Sequence, residues 1–153
     1  MFTINLNLND LQNRLGLVES RLKAVIPSIE IQVKQILRGV LLKVFEAEGI
    51  PRWKKLSPYT IRERRREGYP AGPILVRSGK LKRSYTGNSR YGRWTVTQNS
   101  IVYQNILSYA PLHEHGDPES NVPARHVIRG ILEKKEVRRA LRNAITREIM
   151  GRR

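Results

Sequence analysis

Apolar residues recur at alternating four- and three-residue steps from Leu11 through Leu15, Val18, Leu22, Val25 and Ile29, and the stripe continues through Val33, Ile36, Val40 and Val44. That period belongs to a helix, so the stretch predicts one long amphipathic element from about Asp10 to Ala47 whose apolar face must be covered. Asn9 with Gln12 resembles a capping box, and Gly49 and Pro51 supply the stop. At 1.5 Å per residue such a helix measures about 57 Å. Pro27 lacks a backbone donor and disfavours helical geometry at Ile26, which predicts a kink or a break into two helices there. The heptad-like spacing also fits a coiled coil between subunits, but packing on the chain's own sheet is the reading preferred for this stripe.

The remaining pattern supplies that sheet. Phe2, Ile4, Leu6 and Leu8 alternate with polar residues and predict a first strand, while Trp94 and Val96, a turn at Gln98 to Ser100, and Ile101 and Tyr103 predict a hairpin. The β character is expected to begin at Ser84. Between these elements, Pro51 to Pro73 is rich in Pro, Gly and basic residues, and reads as an exposed loop with a short helix across Tyr59 to Glu67. Ser78 and Gly79 mark a turn or helix start before Leu81. Ile106 to Val122 reads as loop with one helical turn, Val127, Ile128 and Ile131 as an apolar patch, and Glu133 to Met150 as a closing helix. The expected fold is α+β: an antiparallel sheet packed against a long N-terminal helix, kinked at Pro27, and a C-terminal helix. At 153 residues this is one domain, 1–153, with a mobile basic loop region at about 50–80.

The chain has no cysteine, which removes disulfides and thiolate metal sites and fits assembly in the cytosol. Met1 to Asn9 lacks the pattern of a signal peptide, and no run reaches the length of a membrane span. Charge is more informative: 29 Lys and Arg stand against 13 Asp and Glu, a formal net charge of +16. Residues 51–99 hold 13 basic and 2 acidic side chains, residues 100–122 hold 3 acidic and none basic, and residues 123–153 hold 10 basic and 3 acidic. Such segregation suits a self-assembling interface in which an acidic loop meets a basic face.

His113, His115 and His126 lie near Glu114, Asp117 and Glu119, a ligand set suited to zinc or iron. Histidines two apart share a side only on a strand, whereas Pro111, Gly116 and Pro118 argue for a loop, and zinc-peptidase helices need a spacing of four. A polar loop is therefore preferred to a metal site. No phosphate-cradling glycine loop precedes a Lys-Ser or Lys-Thr helix start, and no serine has nucleophile-elbow glycines. Arg62, Arg64, Arg65 and Arg66, with Arg77, Lys80, Lys82, Arg83, Arg90 and Arg93, are interleaved with Tyr59, Tyr69, Tyr85, Tyr91 and Trp94. That mixture suits phosphate contact and base stacking, although no base-reading motif accompanies it and the aromatics equally suit a core.

Five elements in order carry a resemblance: Trp53, Leu56, Ser57, Pro58 and Thr60; Pro73, Ile74 and Leu75; Ser78, Gly79 and Leu81; Tyr109, Ala110, His113, Glu114 and Gly116; and Pro123, Ala124 and Arg125. The set resembles the phage virion morphogenesis family of Mu-like phages over roughly residues 50–131. It departs at Ser78, where Thr is usual, and at His126 and Val127, where Pro and Phe are usual.

The resemblance implies a non-catalytic structural protein of the head-to-tail junction, a neck or tail-completion ring around the DNA channel, located in the virion and assembled in the host cytoplasm. It implies no cofactor and no metal. The implied partners are further copies of the chain, portal or adaptor and other neck proteins, tail tube or terminator proteins, and DNA in transit without sequence preference; a membrane is not among them. On this reading His113, Glu114, His115, Asp117 and Arg125 are candidate subunit-interface residues, and charge reversal at Glu114 and Asp117 should impair assembly while leaving the monomer folded. Arg62, Arg64, Arg65, Arg66, Lys80, Lys82 and Arg83 are the candidate DNA-channel or docking surface. The alternatives are a nonspecific nucleic-acid-binding protein using the same basic surface and a histidine-dependent metallohydrolase.

Overall fold

A computed structural model describes residues 2–7, 19–87, 89–97 and 100–151. Helix α1, Glu19–Glu46, runs through Pro27 without a break. Of the kink or break expected there, the break does not occur, and the physical reason lies downstream of the proline. Ile29, Val33, Leu37, Leu41, Val44 and Phe45 are all buried. At about 1.5–3 kcal/mol for each fully buried side chain, this row outweighs the roughly 3 kcal/mol that a proline costs inside a helix. The buried row also differs in detail from the stripe read in the sequence. Leu37 and Leu41 are fully buried, while Ile36 and Val40 only flank the core. A 3.6-residue turn drifts off a 3.5-residue stripe, so the inward row steps by four. The expected helical residues 10–18, like Leu8 of the first strand, lie outside the described residues.

Strands β1 (Phe2–Asn7), β2 (Gly92–Val96) and β3 (Ser100–Asn105) form an antiparallel sheet in the order β1-β3-β2. Tyr103 stands opposite both Ile4 and Trp94. Alternation fixes the faces: Trp94, Val96, Ile101 and Tyr103 are buried, while Thr95 and Val102 between them are half-buried. The turn expected at Gln98 and Asn99 lies outside the described residues.

In chain order the helices after α1 are α2 (Pro58–Arg66), α3 (Lys80–Tyr85), α4 (Ala110–His115), α5 (Arg129–Leu132) and α6 (Lys135–Met150). Ser84 and Tyr85 therefore end a helix and do not begin the β region expected of them. The backbone of α3 lies directly on β2, since a Cβ added at Gly92 would sit 2.0 Å from the Ser84 carbonyl oxygen. Helix α6 buries Val137, Leu141 and Ile145 on one face along α1 and ends at Gly151, whose φ of 78° closes the helix. The fold is α+β, with the long and closing helices packed together and α1 also covering β2 and α3. No described helix is long and apolar enough to cross a membrane.

The basic segment after α1 is anchored rather than exposed throughout. Trp53 is buried edge-on against Phe45, with ring centroids 5.7 Å apart, and its indole N–H donates to the His126 carbonyl at 3.2 Å. Ile74 and Leu75 are buried as well, and the Ile74 N–H donates to the Glu48 carboxylate at 2.8 Å. At the sheet's end, Asn105 is fully buried; its amide donates to Ser84 Oγ at 2.9 Å and Tyr103 Oη at 2.8 Å, and its carbonyl accepts from the Leu107 N–H at 3.0 Å. This polar hub ties β3 to α3 with the Asn105 amide satisfied at both ends.

Candidate functional site

Ser57 opens α2 by accepting the Thr60 N–H on its hydroxyl at 3.1 Å, and Pro58 supplies the fixed φ of the first turn. The helix that follows exposes Arg62, Arg65 and Arg66 but turns Arg64 inward. Arg64 is 7% exposed, and its Nη1 donates to the Pro73 carbonyl at 2.9 Å. It therefore faces the interior side of α2 and not the exposed side on which Arg62, Arg65 and Arg66 lie. Lys80 and Lys82 are half-buried on α3 and Arg83 is exposed, its guanidinium donating to the Ser78 carbonyl at 3.3 Å.

Within the Tyr109 to Gly116 motif, Ala110–His115 fold as the helix α4, which stands where one helical turn was expected and places both histidines on a helix and not on the loop read for them. Residues two apart on a helix diverge, which sends His113 inward beside Tyr109 and leaves His115 exposed. Glu114 is 2% exposed. Its carboxylate accepts from the backbone N–H groups of Val127 at 2.8 Å, Ile128 at 3.2 Å and Arg129 at 2.9 Å. A helix leaves such donors at its start without intrahelical acceptors, so Glu114 caps α5 from 15 residues away. Its assignment to a subunit interface is corrected accordingly, and charge reversal there would unfold the monomer rather than spare it. Asp117 is half-buried in a small turn, where its N–H and carbonyl pair with Val122, both at 2.8 Å.

Arg125, the other interface candidate drawn inward, is 6% exposed. Its Nε and Nη2 both donate to the Lys54 carbonyl at 3.3 Å, and its backbone N–H donates to the His113 carbonyl at 2.7 Å. Arg64, His113 and Arg125 thus converge on one groove of about 770 Å³ between α2, α3, α4 and the 120–125 loop. Leu56, Leu75, Leu81 and Tyr109 give it an apolar part, while Glu63 and Glu67 lie on its lining. Glu67 pairs with Arg77 and Glu63 with Arg66. Among the described residues, neither Arg64 nor Arg125 has a carboxylate partner; each meets only backbone carbonyls.

The electrostatics follow from that imbalance. Burial first, then the nearby Arg125 and Arg64, hold the His113 imidazole down to a pKa of about 4, so it is neutral at pH 7. Burial and Arg77 lower Arg64, and burial and Arg64 lower Arg125. The His113 Nδ1 is buried and has no hydrogen-bond partner among the described residues. Among the described residues no three His, Asp or Glu side chains are grouped to hold a metal ion.

A second groove, of about 480 Å³, lies between α1 and the hairpin and is lined by Lys34, Arg38, Arg90 and Arg93, with no carboxylate among the described residues of its lining. Lys34 pairs with Glu30 at 2.5 Å, while the three arginines have no acidic partner among the described residues. The aromatics divide between core and surface: Tyr85 and Trp94 are buried, Tyr59 is exposed, and Tyr69 and Tyr91 carry Arg77 and Lys80 over their rings at 4.6 and 4.3 Å. Sequence reasoning missed the capping role of Glu114, the inward turn of Arg64, and the meeting of Lys34 and Arg38 with Arg90 and Arg93. Only the second had a signal, since Arg64 follows Ile61 by three on an otherwise polar helix. Comparison of the chain with family models, curated proteins and solved structures finds no match.

Proposed function

We propose that this chain is a non-enzymatic structural protein of the phage head-to-tail junction, a neck or tail-completion subunit that forms a homo-oligomeric ring around the DNA channel. One observation carries the reading. The five motif elements on which the resemblance rests are spread over roughly residues 53–125, yet each contributes to the lining of the groove that holds Arg64 and Arg125. Leu56 and Ser57, Leu75, Ser78 to Leu81, Tyr109 and His113, and Pro123 and Arg125 all meet there. Chance matches would scatter over the surface, whereas motifs that share a task gather in space. The ring's partners are portal or adaptor proteins on one side and tail tube or terminator proteins on the other.

The test is made on particles. Disrupting the gene in its phage should leave filled heads and complete tails that do not join, and imaging of the purified protein should show closed rings. Normally joined, infectious particles formed without the protein would overturn the reading.

The groove between α1 and the hairpin favours a second reading, nonspecific binding of nucleic acid by the isolated chain. Its cations are supplied by two elements and face no carboxylate in the lining, which suits a phosphate backbone. Within a ring the same surface serves DNA in transit. Salt-sensitive duplex binding by a monomer, with no ring formed at any concentration, would favour this second reading over the first.

A further inference from the structure

We propose that Arg64 and Arg125 form a carboxylate-binding site within the motif-lined groove, which receives an acidic side chain from a peptide segment of a different protein. Arg64 and Arg125, 7% and 6% exposed as residues, are held in one groove whose two carboxylates, Glu63 and Glu67, pair with Arg66 and Arg77 instead, so that neither Arg64 nor Arg125 has a carboxylate partner among the described residues. Burying like charges together is costly unless an anion joins them. Each guanidinium is already fixed by a backbone carbonyl, Arg64 by Pro73 and Arg125 by Lys54, so its remaining N–H groups are oriented without a carboxylate of the chain's own. The planar fork of arginine suits a carboxylate held by two donors.

The rest of the lining selects the occupant. Leu56, Leu75, Leu81 and Tyr109 offer apolar contact for a peptide's aliphatic parts, for which a phosphate backbone has no counterpart, while Glu63 and Glu67 are already paired with Arg66 and Arg77. A second copy of this chain is a poor donor. Its acidic loop, Asp117 to Glu119, adjoins Ser120 to Val122 on the lining of the same groove, so two copies meeting here would set loop against loop. The groove volume of about 770 Å³ accommodates several residues of an extended segment. This inference stands on the groove alone, and binding by the isolated chain can succeed or fail whatever becomes of the virion reading.

The experiment adds N-acetyl-tetraglutamate amide to the isotopically labelled full chain and follows the His113 imidazole and arginine Nε–H resonances. The expected result is saturable perturbation at His113, Arg64 and Arg125, with the His113 titration midpoint rising by about one pH unit or more because an anion has joined the two arginines. Arg125→Leu should weaken binding tenfold or more, while Arg65→Gln on the exposed side of α2 should leave it unchanged. An unperturbed His113 in the wild-type protein at millimolar peptide would overturn the proposal, and this reading needs no variant to fold. Equal weakening by Arg65→Gln would also overturn it, by showing general charge attraction. So would a short duplex that displaces the peptide at the same resonances with higher affinity, which would make phosphate the natural occupant.

Discussion

Glu114 shows how a residue's role can depend on a partner that residue type does not reveal. Among His113, His115 and Asp117 it has the look of a surface acid, but its three partners are backbone N–H groups, which almost every residue possesses. Glu114→Gln keeps the shape while replacing one acceptor oxygen with an NH₂ that faces donors. It should lower stability by about 2–4 kcal/mol, read from the denaturant midpoint. Asp117→Asn, which preserves the turn in which its Oδ1 accepts the Glu119 N–H, should leave the midpoint unchanged. His113 supplies a pH test at the same scale. Its folded pKa of about 4 lies below the ordinary 6.5, so the unfolded chain binds more protons between those values. The stabilising effect of the neutral imidazole is therefore complete above about pH 6.5 and is lost as pH falls toward 4. Across that window the wild type should lose up to about 1.4 kcal/mol per pH unit relative to His113→Asn, measured by paired denaturation curves.

Elements were legible in proportion to their length and periodicity. Helices α1 and α6 and the hairpin repeat their pattern often enough to be read from the chain, and α2 announces itself by Ser57 and Pro58. Helices α3 and α4 span six residues each, too few for a period to emerge, and the second carries Pro111 in its first turn, which also suits a loop. The continuity of α1 through Pro27 was not legible because it is decided by what the helix buries, not by local propensity. Gly39 tests that balance. It is exposed on α1, and a methyl group placed on its Cα would meet nothing within 4 Å, so Gly39→Ala adds helix propensity without a clash. Stability should rise by about 0.5–1 kcal/mol in thermal or denaturant unfolding. Gly92→Ala, by contrast, must push α3 off β2 and should destabilise by several kcal/mol, on the order of the cost of a severe core clash.

At the scale of the whole molecule, folding redraws the charge map. Counted along the chain, Lys34 and Arg38 belong to a nearly neutral first third and Arg90 and Arg93 to the strongly basic middle; in space they share one acid-free groove. The run of arginines on α2 is broken up instead, with Arg64 buried and Arg66 paired to Glu63. The α1–hairpin groove is therefore a second candidate surface for a polyanion beside the exposed Arg62, Arg65 and Arg66 of the α2 run that the sequence singles out. If the protein binds DNA, the salt dependence of duplex binding reports where. Every cationic side chain that stops neutralising a phosphate lowers the slope of log affinity against log salt by about 0.9. Replacing Arg38, Arg90 and Arg93 together with Gln should reduce that slope by about 2–3, whereas Arg62→Gln with Arg65→Gln and Arg66→Gln should change it by less than about 1. Fluorescence anisotropy over a range of salt concentrations makes the comparison, and the reverse ranking would return the nucleic-acid surface to α2.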